Sequence, residues 1–253
     1  MDRIILDHFI SVGKEILIKG PPLEALRFKE ARVGSILTLT DAAGEDFRGR
    51  VTHLSKEEAT ILVFDLFSFS TESPLEIILF QALPEKERME MIIQKTTELG
   101  VSTIIPLRSE RSISLRERES KQKKAHRWQH IAIKAMQQSR RARVPLVEEC
   151  RSLREALETC EDGLKILLWE KEGGNLKNVL KEYFAGFPSW TSGGKGAVIY
   201  AMVGPEGGFT EEEVKQARGK GFIPVKLGQR ILRTETASIT LVGILQYELG
   251  DLS

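Results

Sequence analysis

Residues 198–247 read VIYAMVGPEGGFTEEEVKQARGKGFIPVKLGQRILRTETASITLVGILQY and contain the clearest structural pattern of the chain. Two short apolar runs, residues 198–203 and 222–227, each end in a glycine-containing turn. The first turn is Gly204-Pro205-Glu206-Gly207-Gly208 and the second is Gly228-Gln229-Arg230. A helix is predicted after each of them, and the pattern is therefore strand, turn and helix, repeated once.

The two glycine turns predict a binding site. Glycine takes positive φ values without steric cost and lets the backbone approach a ligand closely. Thr210 and Glu213 form a capping-box pattern that opens the first helix directly after its turn. Two such turns, one strand-helix unit apart, indicate the two sides of a single pocket at the edge of a parallel sheet. These residues alone do not identify the ligand.

Upstream of this stretch the chain also alternates strands with helices, which predicts an α/β domain around a parallel sheet. The predicted strands are residues 75–82, 101–106 and 164–169, and the predicted helices are residues 84–99, 120–139, a helix capped by Ser152 and Glu155, and 176–184. Residues 187–196 are predicted to form a loop. Residues 1–72 differ, because short β-prone runs separated by turns predict a small β-barrel. We place the domain boundary between residues 72 and 73.

Bulk composition is that of a globular protein: 253 residues, 41% hydrophobic, with a formal net charge of +1. No apolar run approaches the roughly 20 residues that span a bilayer, so no membrane association is expected. Cys150 and Cys160 do not form a closely spaced pair, which argues against a disulfide scaffold and favours the cytoplasm.

Positive charge is concentrated in residues 108–143. Twelve Lys/Arg stand there against Glu110, Glu117 and Glu119, a net charge of 12 − 3 = +9. One interpretation is a solvated helix face. The other is a surface for a phosphate backbone, which arginines at the end of the segment, Arg140, Arg141 and Arg143, would grip in bidentate fashion.

Several common chemistries have no motif here. The sequence contains no dinucleotide-binding glycine fingerprint, no Walker motif and no Gly-x-Ser-x-Gly elbow. His126 and His130 have a spacing that suits zinc, but no third ligand lies near them in sequence, so no metal is expected.

The motifs resemble those of a known family. The segments Val203-Gly-Pro-Glu-Gly-Gly-Phe-Thr210 and Leu227-Gly-Gln-Arg-Ile-Leu-Arg-Thr-Glu-Thr-Ala237 are similar to the two signature motifs of the RsmE family of SPOUT methyltransferases. The segment Gln94-Lys-Thr-Thr-Glu-Leu-Gly-Val101 and the Leu26-Arg27-Phe28 segment resemble its other motifs. Members of that family make N3-methyluridine in ribosomal RNA of the small subunit.

This resemblance implies an α/β SPOUT domain with a C-terminal trefoil knot, preceded by a small PUA-like β-barrel that binds RNA. It implies S-adenosylmethionine bound in the knot, an obligate homodimer, and 16S rRNA, within the small ribosomal subunit, as substrate. The SPOUT domain would be residues 73–253 and the barrel residues 1–72.

The resemblance also implies site residues. The cofactor would be held by Leu168, Val203, Gly204, Pro205, Gly207, Leu227, Gly228, Ile231, Leu232, Thr236 and Ala237. RNA would be held by Arg27, Arg111, Arg140, Arg141 and Arg143.

Methylation at N3 requires loss of the imide proton, and a positioned cation stabilises the anion that forms. We assign that role to Arg233. Glu206 or Glu235 would accept the proton, or would instead hold backbone amides or an arginine in place.

One departure from the family concerns Arg140, which stands where the family usually has glycine after Gln138-Ser139. Two alternatives remain open. The first is a SPOUT enzyme that acts on another RNA nucleotide. The second is a catalytically silent RNA-binding protein of ribosome assembly.

Overall fold

The computed structural model describes residues 3–28, 31–66, 72–112, 125–185 and 197–252. The chain divides into two compact units, Met1–Thr71 and Glu72–Ser253. Each has its own hydrophobic core.

Unit 1 is a mainly antiparallel sheet with one short helix. Its elements are β1 (Arg3–Ile5), β2 (Glu15–Ile18), α1 (Pro21–Phe28), β3 (Ile36–Thr40), β4 (Asp46–Leu54) and β5 (Ala59–Leu66). The strand order is β1-β3-β4-β5-β2, and only the β1–β3 pair is parallel. Leu39, Ile61 and Val63 are fully buried on the inner face, where Leu26 of α1 covers them.

Unit 2 is an α/β domain, as the sequence predicts. Its elements are β6 (Glu76–Ala82), α2 (Lys86–Glu98), β7 (Thr103–Arg108), α3 (Ala125–Ser139), β8 (Leu146–Val147), β9 (Arg151–Ser152), α4 (Leu153–Glu158), β10 (Leu164–Leu168), β11 (Gly174–Asn175), α5 (Leu176–Ala185), β12 (Val198–Val203), α6 (Glu211–Gly219), β13 (Ile223–Lys226) and α7 (Thr234–Leu249). The strand order is β11-β13-β10-β12-β6-β7-β8, with β9 also paired to β7, and every pairing is parallel.

The central strands are mostly apolar because both faces of the sheet are covered. Along β12, Ile199 and Ala201 point into one core, while Tyr200 and Met202 point into the other. Parallel strands all end at the same edge, so the turns after β10, β12 and β13 come together there.

Local sequence signals fix two helix starts. Ser152 with Glu155 and Thr210 with Glu213 both form reciprocal capping boxes, as the sequence predicts. The predicted start of α3 at Ser120 and the predicted loop at residues 187–196 lie outside the described residues.

Helix α7 closes the domain and brings its own first residues to the edge of the sheet. Leu241, Val242 and Leu245 are fully buried against the core that also contains residues of α2 and β12. Tyr247 on the outer face is 63% exposed. Although α7 is strongly apolar, the described ranges contain no helix with the length and hydropathy to cross a bilayer.

Candidate functional site

A cleft of about 280 Å³ opens at the carboxyl ends of β10, β12 and β13. The two glycine turns form its sides, which we call the first lip (residues 204–208) and the second lip (residues 228–233). The lining residues are Arg88, Leu168, Trp169, Glu170, Val203, Gly204, Pro205, Glu206, Gly208, Val225, Lys226, Leu227, Gly228, Arg230, Ile231, Leu232, Arg233, Thr234 and Ala237. The turns that the sequence places around one pocket therefore do face a common space.

Buried hydrogen bonds fix the first lip from below. The Thr234 hydroxyl donates to the Gly204 carbonyl at 2.6 Å and accepts from the Gln81 side-chain amide at 3.1 Å. The Ser238 hydroxyl donates to the Gln81 side-chain carbonyl. Gln81 and Ser238 are fully buried, so this chain of bonds joins β6, α7 and the first lip where water does not compete.

The loop after β7 holds the first lip from the side. The Arg111 guanidinium donates to the Gly207 carbonyl at 2.8 Å, and the Glu213 carboxylate accepts the Glu110 backbone N–H at 2.8 Å. Gly208 has φ +66°, a backbone conformation that favours glycine, and its N–H closes the turn onto the Pro205 carbonyl at 2.9 Å. The first lip is thus a rigid part of the site.

A guanidinium on α2 forms ion pairs with the two glutamates that the sequence offers as bases. Arg88 Nη1 lies 3.0 Å from Glu206 Oε1, and Arg88 Nε lies 3.9 Å from Glu235 Oε2. Glu206 Oε1 also accepts the backbone N–H of Glu85 at 3.0 Å. Glu206 therefore holds a backbone amide and an arginine, the second of the two roles that the sequence left open for it.

The second lip is open to solvent and keeps its charges free. Gly228 has φ +92°, and Ile231 is 87% exposed. Arg230 and Arg233 are exposed, and neither forms an ion pair or a side-chain hydrogen bond with the part of the chain that the structure describes. Two guanidinium groups are thus available for a ligand at the mouth of the cleft.

Most residues that the sequence assigns to the cofactor line this cleft, and two do not. Gly207 turns away because its carbonyl binds Arg111, and Thr236 lies on the exposed side of α7. Of the catalytic candidates, Arg233 and Glu206 line the cleft, while Glu235 lies outside its lining and faces Arg88.

Sequence reasoning missed several lining residues. Trp169 and Glu170 directly follow β10, and their position at the end of a predicted strand was a usable signal. Thr234 was not assigned to the cofactor, but the sequence predicts that the start of the last helix lines the site, and Thr234 is its first residue. Arg88 had no local sequence signal, since its partner Glu206 is 118 residues away in sequence.

The lining combines three kinds of group. Leu168, Leu227 and Leu232 provide apolar walls, and the strand end at Val203 and the turn at Gly228 provide backbone polar groups. The rim carries both signs of charge. Such a lining suits a ligand with a flat apolar ring and a charged end.

Among the arginines assigned to RNA, Arg141 requires correction. It is only 5% exposed, and its guanidinium pairs with Glu72 at 2.7 Å. It also donates to the carbonyls of Thr97 and Val101 at 2.9 and 2.8 Å. A side chain buried in this way belongs to the framework and does not present its charge to RNA.

The other four arginines of that set are exposed. They are Arg27, Arg111, Arg140 and Arg143. Arg27 donates to the Ser55 carbonyl at 3.2 Å and Arg111 to Gly207, whereas Arg140 and Arg143 follow the end of α3. Five cations of the basic segment, Arg116, Arg118, Lys121, Lys123 and Lys124, lie outside the described residues.

Arg140 adopts an unusual backbone conformation. Its φ is +62°, and among the described residues it alone has a positive φ without being glycine. The Arg141 N–H bonds back to the Met136 carbonyl at 3.1 Å, which is the C-terminal motif that normally places glycine at this position. The backbone therefore explains why glycine would be favoured where this chain has arginine.

Other chemistries find little support in the described ranges. They contain no group of three or more His, Cys, Asp or Glu side chains placed to hold a metal ion. Burial raises the pKa of the Cys160 thiol to about 11, so this sulfur stays protonated near neutral pH and is a poor nucleophile.

Comparisons with known proteins agree with the site. Residues 71–246 match the model of the RNA methyltransferase domain family. A protein from Bacillus subtilis (strain 168) named ribosomal RNA small subunit methyltransferase E is 32% identical over 95% of this chain and 96% of its own. A protein of the same name from Buchnera aphidicola subsp. Schizaphis graminum is 33% identical over 99% of this chain and 98% of its own.

A solved structure gives the same result. The crystal structure of a ribosomal RNA small subunit methyltransferase E from Neisseria gonorrhoeae, bound to S-adenosyl methionine, aligns over 100% of both chains. The TM-score is 0.73 and the sequence identity 35%. The resemblance found in the motifs is confirmed, and the chain belongs to the ribosomal RNA small subunit methyltransferase E (RsmE) family of RNA methyltransferases.

Proposed function

We propose that this protein transfers a methyl group from S-adenosylmethionine to N3 of a uridine in 16S ribosomal RNA of the small subunit. The observation that carries the proposal is the cleft between the two lips, with the unpaired Arg233 at its mouth. Family membership supplies the cofactor and the RNA class. The enzyme works in the cytoplasm, where ribosomes are assembled.

The residues of the cleft fit S-adenosylmethionine. The adenine would lie between the apolar side chains of Leu168, Leu227 and Leu232. Backbone groups at Gly204 and Gly228 would form hydrogen bonds with the edge of its ring. The other residues proposed to bind the cofactor are Val203, Pro205, Ile231 and Ala237, all of which line the cleft. When bound there, the cofactor supplies an electrophilic methyl group on a positively charged sulfur.

The protein lowers the barrier by stabilising the uracil anion. Loss of the N3 proton leaves a negative charge delocalised over the imide, and the N3 lone pair then attacks the methyl carbon as the carbon–sulfur bond breaks. Arg233 would face that anion. A positioned cation in such a site contributes roughly 3 kcal/mol to transition-state stabilisation.

The proton is proposed to leave to solvent at the open mouth of the cleft. Glu206 already accepts two hydrogen bonds, and Glu235 lies outside the lining. Structural roles for both carboxylates follow, and no general base of this chain is required.

RNA would be held by residues of both units. In unit 2, Arg140 and Arg143 are exposed at the end of the basic segment, and Arg111 lies beside the first lip. In unit 1, Arg27 would provide a further phosphate contact. Unit 1 is proposed to be a PUA-like RNA-binding barrel (residues 1–72), and residues 73–253 the methyltransferase domain.

We also propose that the methyltransferase domain is knotted and dimeric. The strand order supports the trefoil knot, because the chain leaves β10 and later places β12 on one side of it and β13 on the other. The outer face of α7 supports a homodimer, since Tyr247 is exposed there and no other packed residue of the described ranges lies within 4 Å of where a Gly243 side chain would begin.

The proposal is tested by methyl transfer from labelled S-adenosylmethionine to small ribosomal subunits that lack the modification, with the product nucleoside identified by mass spectrometry. Free 16S rRNA and a transfer RNA pool serve as comparison substrates. We expect label in 3-methyluridine of 16S rRNA. Label in another nucleotide would support a different SPOUT specificity. Cofactor binding without any transfer would support the silent assembly protein.

A further inference from the structure

Arg88 lies in the first helical turns of α2, and its guanidinium lies among three carboxylates. Nη1 is 3.0 Å from Glu206 Oε1, Nη2 is 3.6 Å from Glu85 Oε2, and Nε is 3.9 Å from Glu235 Oε2. Only 29% of its side-chain surface is exposed, and that surface lines the cleft.

Two of the partners of Arg88 come from different segments of the chain. Glu206 belongs to the first lip, and Glu235 follows the second lip in the first turn of α7. Arg88 therefore links the first lip to the first turn of α7 through charge.

The other cations of the cleft behave differently. Lys226, Arg230 and Arg233 also line it, but none of them forms an ion pair with a carboxylate of the described residues. Arg88 thus pairs with Glu206 and Glu235, and the remaining cations are left for ligands.

Removal of Arg88 would leave Glu206 and Glu235 without their cation. Their charges would oppose an anion that forms in the same cleft, because charges in a partly desolvated site interact strongly. An unpaired Glu235 would also attract Arg233, which precedes it by two residues in the chain. Either effect would slow a reaction that passes through an anion and would leave binding of the cofactor ring almost unchanged.

We propose that Arg88 is a positioning residue for methyl transfer, which pairs with Glu206 and Glu235 so that Arg233 stays free to face the uracil anion. This inference rests on the proposed function. It assigns Arg88 no contact with the reacting atoms, and its effect is on the rate of the chemical step.

The test compares Arg88→Met, Arg88→Lys, Glu206→Gln and the double variant Arg88→Met/Glu206→Gln. Single-turnover methylation is measured at saturating cofactor and RNA, and cofactor affinity is measured separately by calorimetry. The matched control is Lys95→Met, which removes the 2.9 Å Lys95–Glu98 pair farther along the same helix. Thermal unfolding of every variant is recorded.

We expect Arg88→Met to slow single turnover by about 30-fold while the cofactor Kd changes by less than about threefold. Arg88→Lys should keep most of the rate because the charge remains. The double variant should recover much of the loss, since one of the unpaired carboxylates is then gone, and Lys95→Met should behave as wild type.

Two outcomes overturn the inference. One is an unchanged rate in Arg88→Met. The other is a parallel loss of rate, affinity and thermal stability without recovery in the double variant, which marks a purely structural role. A wild-type protein that methylates no ribosomal RNA refutes the proposed function, and the inference falls with it. An active wild type with a fully active Arg88→Met refutes the inference alone.

Discussion

The two lips of the cleft begin with similar glycine turns, yet the protein holds them in opposite ways. The first lip is fixed by the Thr234 hydroxyl below, Arg111 at the side and Arg88 at its glutamate. The second lip carries Ile231, 87% exposed, and two arginines without partners among the described residues.

The difference separates two tasks. A rigid lip with satisfied backbone groups can hold a cofactor in one geometry, because its atoms do not reorganise when the ligand arrives. A lip with unpaired cations has charge available for a substrate that becomes anionic. The same distinction applies to the basic segment, where Arg141 is part of the framework and its neighbours Arg140 and Arg143 remain exposed.

The largest effect is expected from Arg233→Ala on the second lip. Loss of the cation that faces the uracil anion should slow single-turnover methylation by about 100-fold or more. Cofactor affinity, measured by calorimetry, should stay close to that of wild type. Arg230→Ala is the matched control on the same lip and should reduce the single-turnover rate much less. A normal rate in Arg233→Ala would remove this residue from the mechanism.

Arg141→Met should cause the next largest change, and the change should be in stability. It removes the guanidinium that pairs with the Glu72 carboxylate and donates to the buried carbonyls of Thr97 and Val101, which should lower the free energy of unfolding by about 3 kcal/mol. The free energy of unfolding is measured by denaturant unfolding. Arg143→Met, at an exposed position two residues away, should change stability by less than about 0.5 kcal/mol. Equal effects of the two variants would contradict the assignment of Arg141 to the framework.

Thr234→Val loosens the first lip. The substitution keeps the shape of the side chain but removes the hydrogen bonds to the Gly204 carbonyl and from Gln81. We expect a loss of about 2 kcal/mol in unfolding free energy, with weaker cofactor binding. Thr240→Val makes the same change on the same helix away from the cleft. It should change neither the unfolding free energy nor the cofactor affinity. Unchanged cofactor affinity in Thr234→Val would show that this chain of bonds does not hold the first lip.

The smallest effect is expected from Arg140→Gly. Glycine relieves the positive φ of this position, so the protein should gain about 1 kcal/mol of stability. Arg140→Ala removes the same charge but keeps the strained backbone, and it should give no such gain. RNA binding should weaken in both variants and lose salt dependence, because both lack the same cation. Equal stability of the two variants would argue against backbone strain at this position.

Local sequence patterns predicted much of the fold. Apolar runs, capping boxes and glycine turns are signals within about ten residues, and the parallel α/β sheet and both capped helices follow from them. The same signals placed both lips around one cleft. The family was identified from sequence motifs that this chain contains almost in full.

Contacts between distant residues could not be predicted in this way. Arg141 looked like its exposed neighbours because its partner Glu72 is 69 residues away. Thr236 was chosen where Thr234 lines the cleft, because the side of a helix that faces a pocket depends on how the helix packs. Arg88 carried no local pattern, and its role depends on carboxylates brought to it by the fold.

The most direct test of this account measures cofactor affinity and single-turnover rate for Arg233→Ala and Thr234→Val side by side. The division of tasks between the two lips predicts opposite effects: Arg233→Ala binds S-adenosylmethionine normally and reacts slowly, while Thr234→Val binds it weakly and reacts at nearly the wild-type rate once saturated. Equal losses of affinity and rate in both variants would contradict the division of tasks between the two lips.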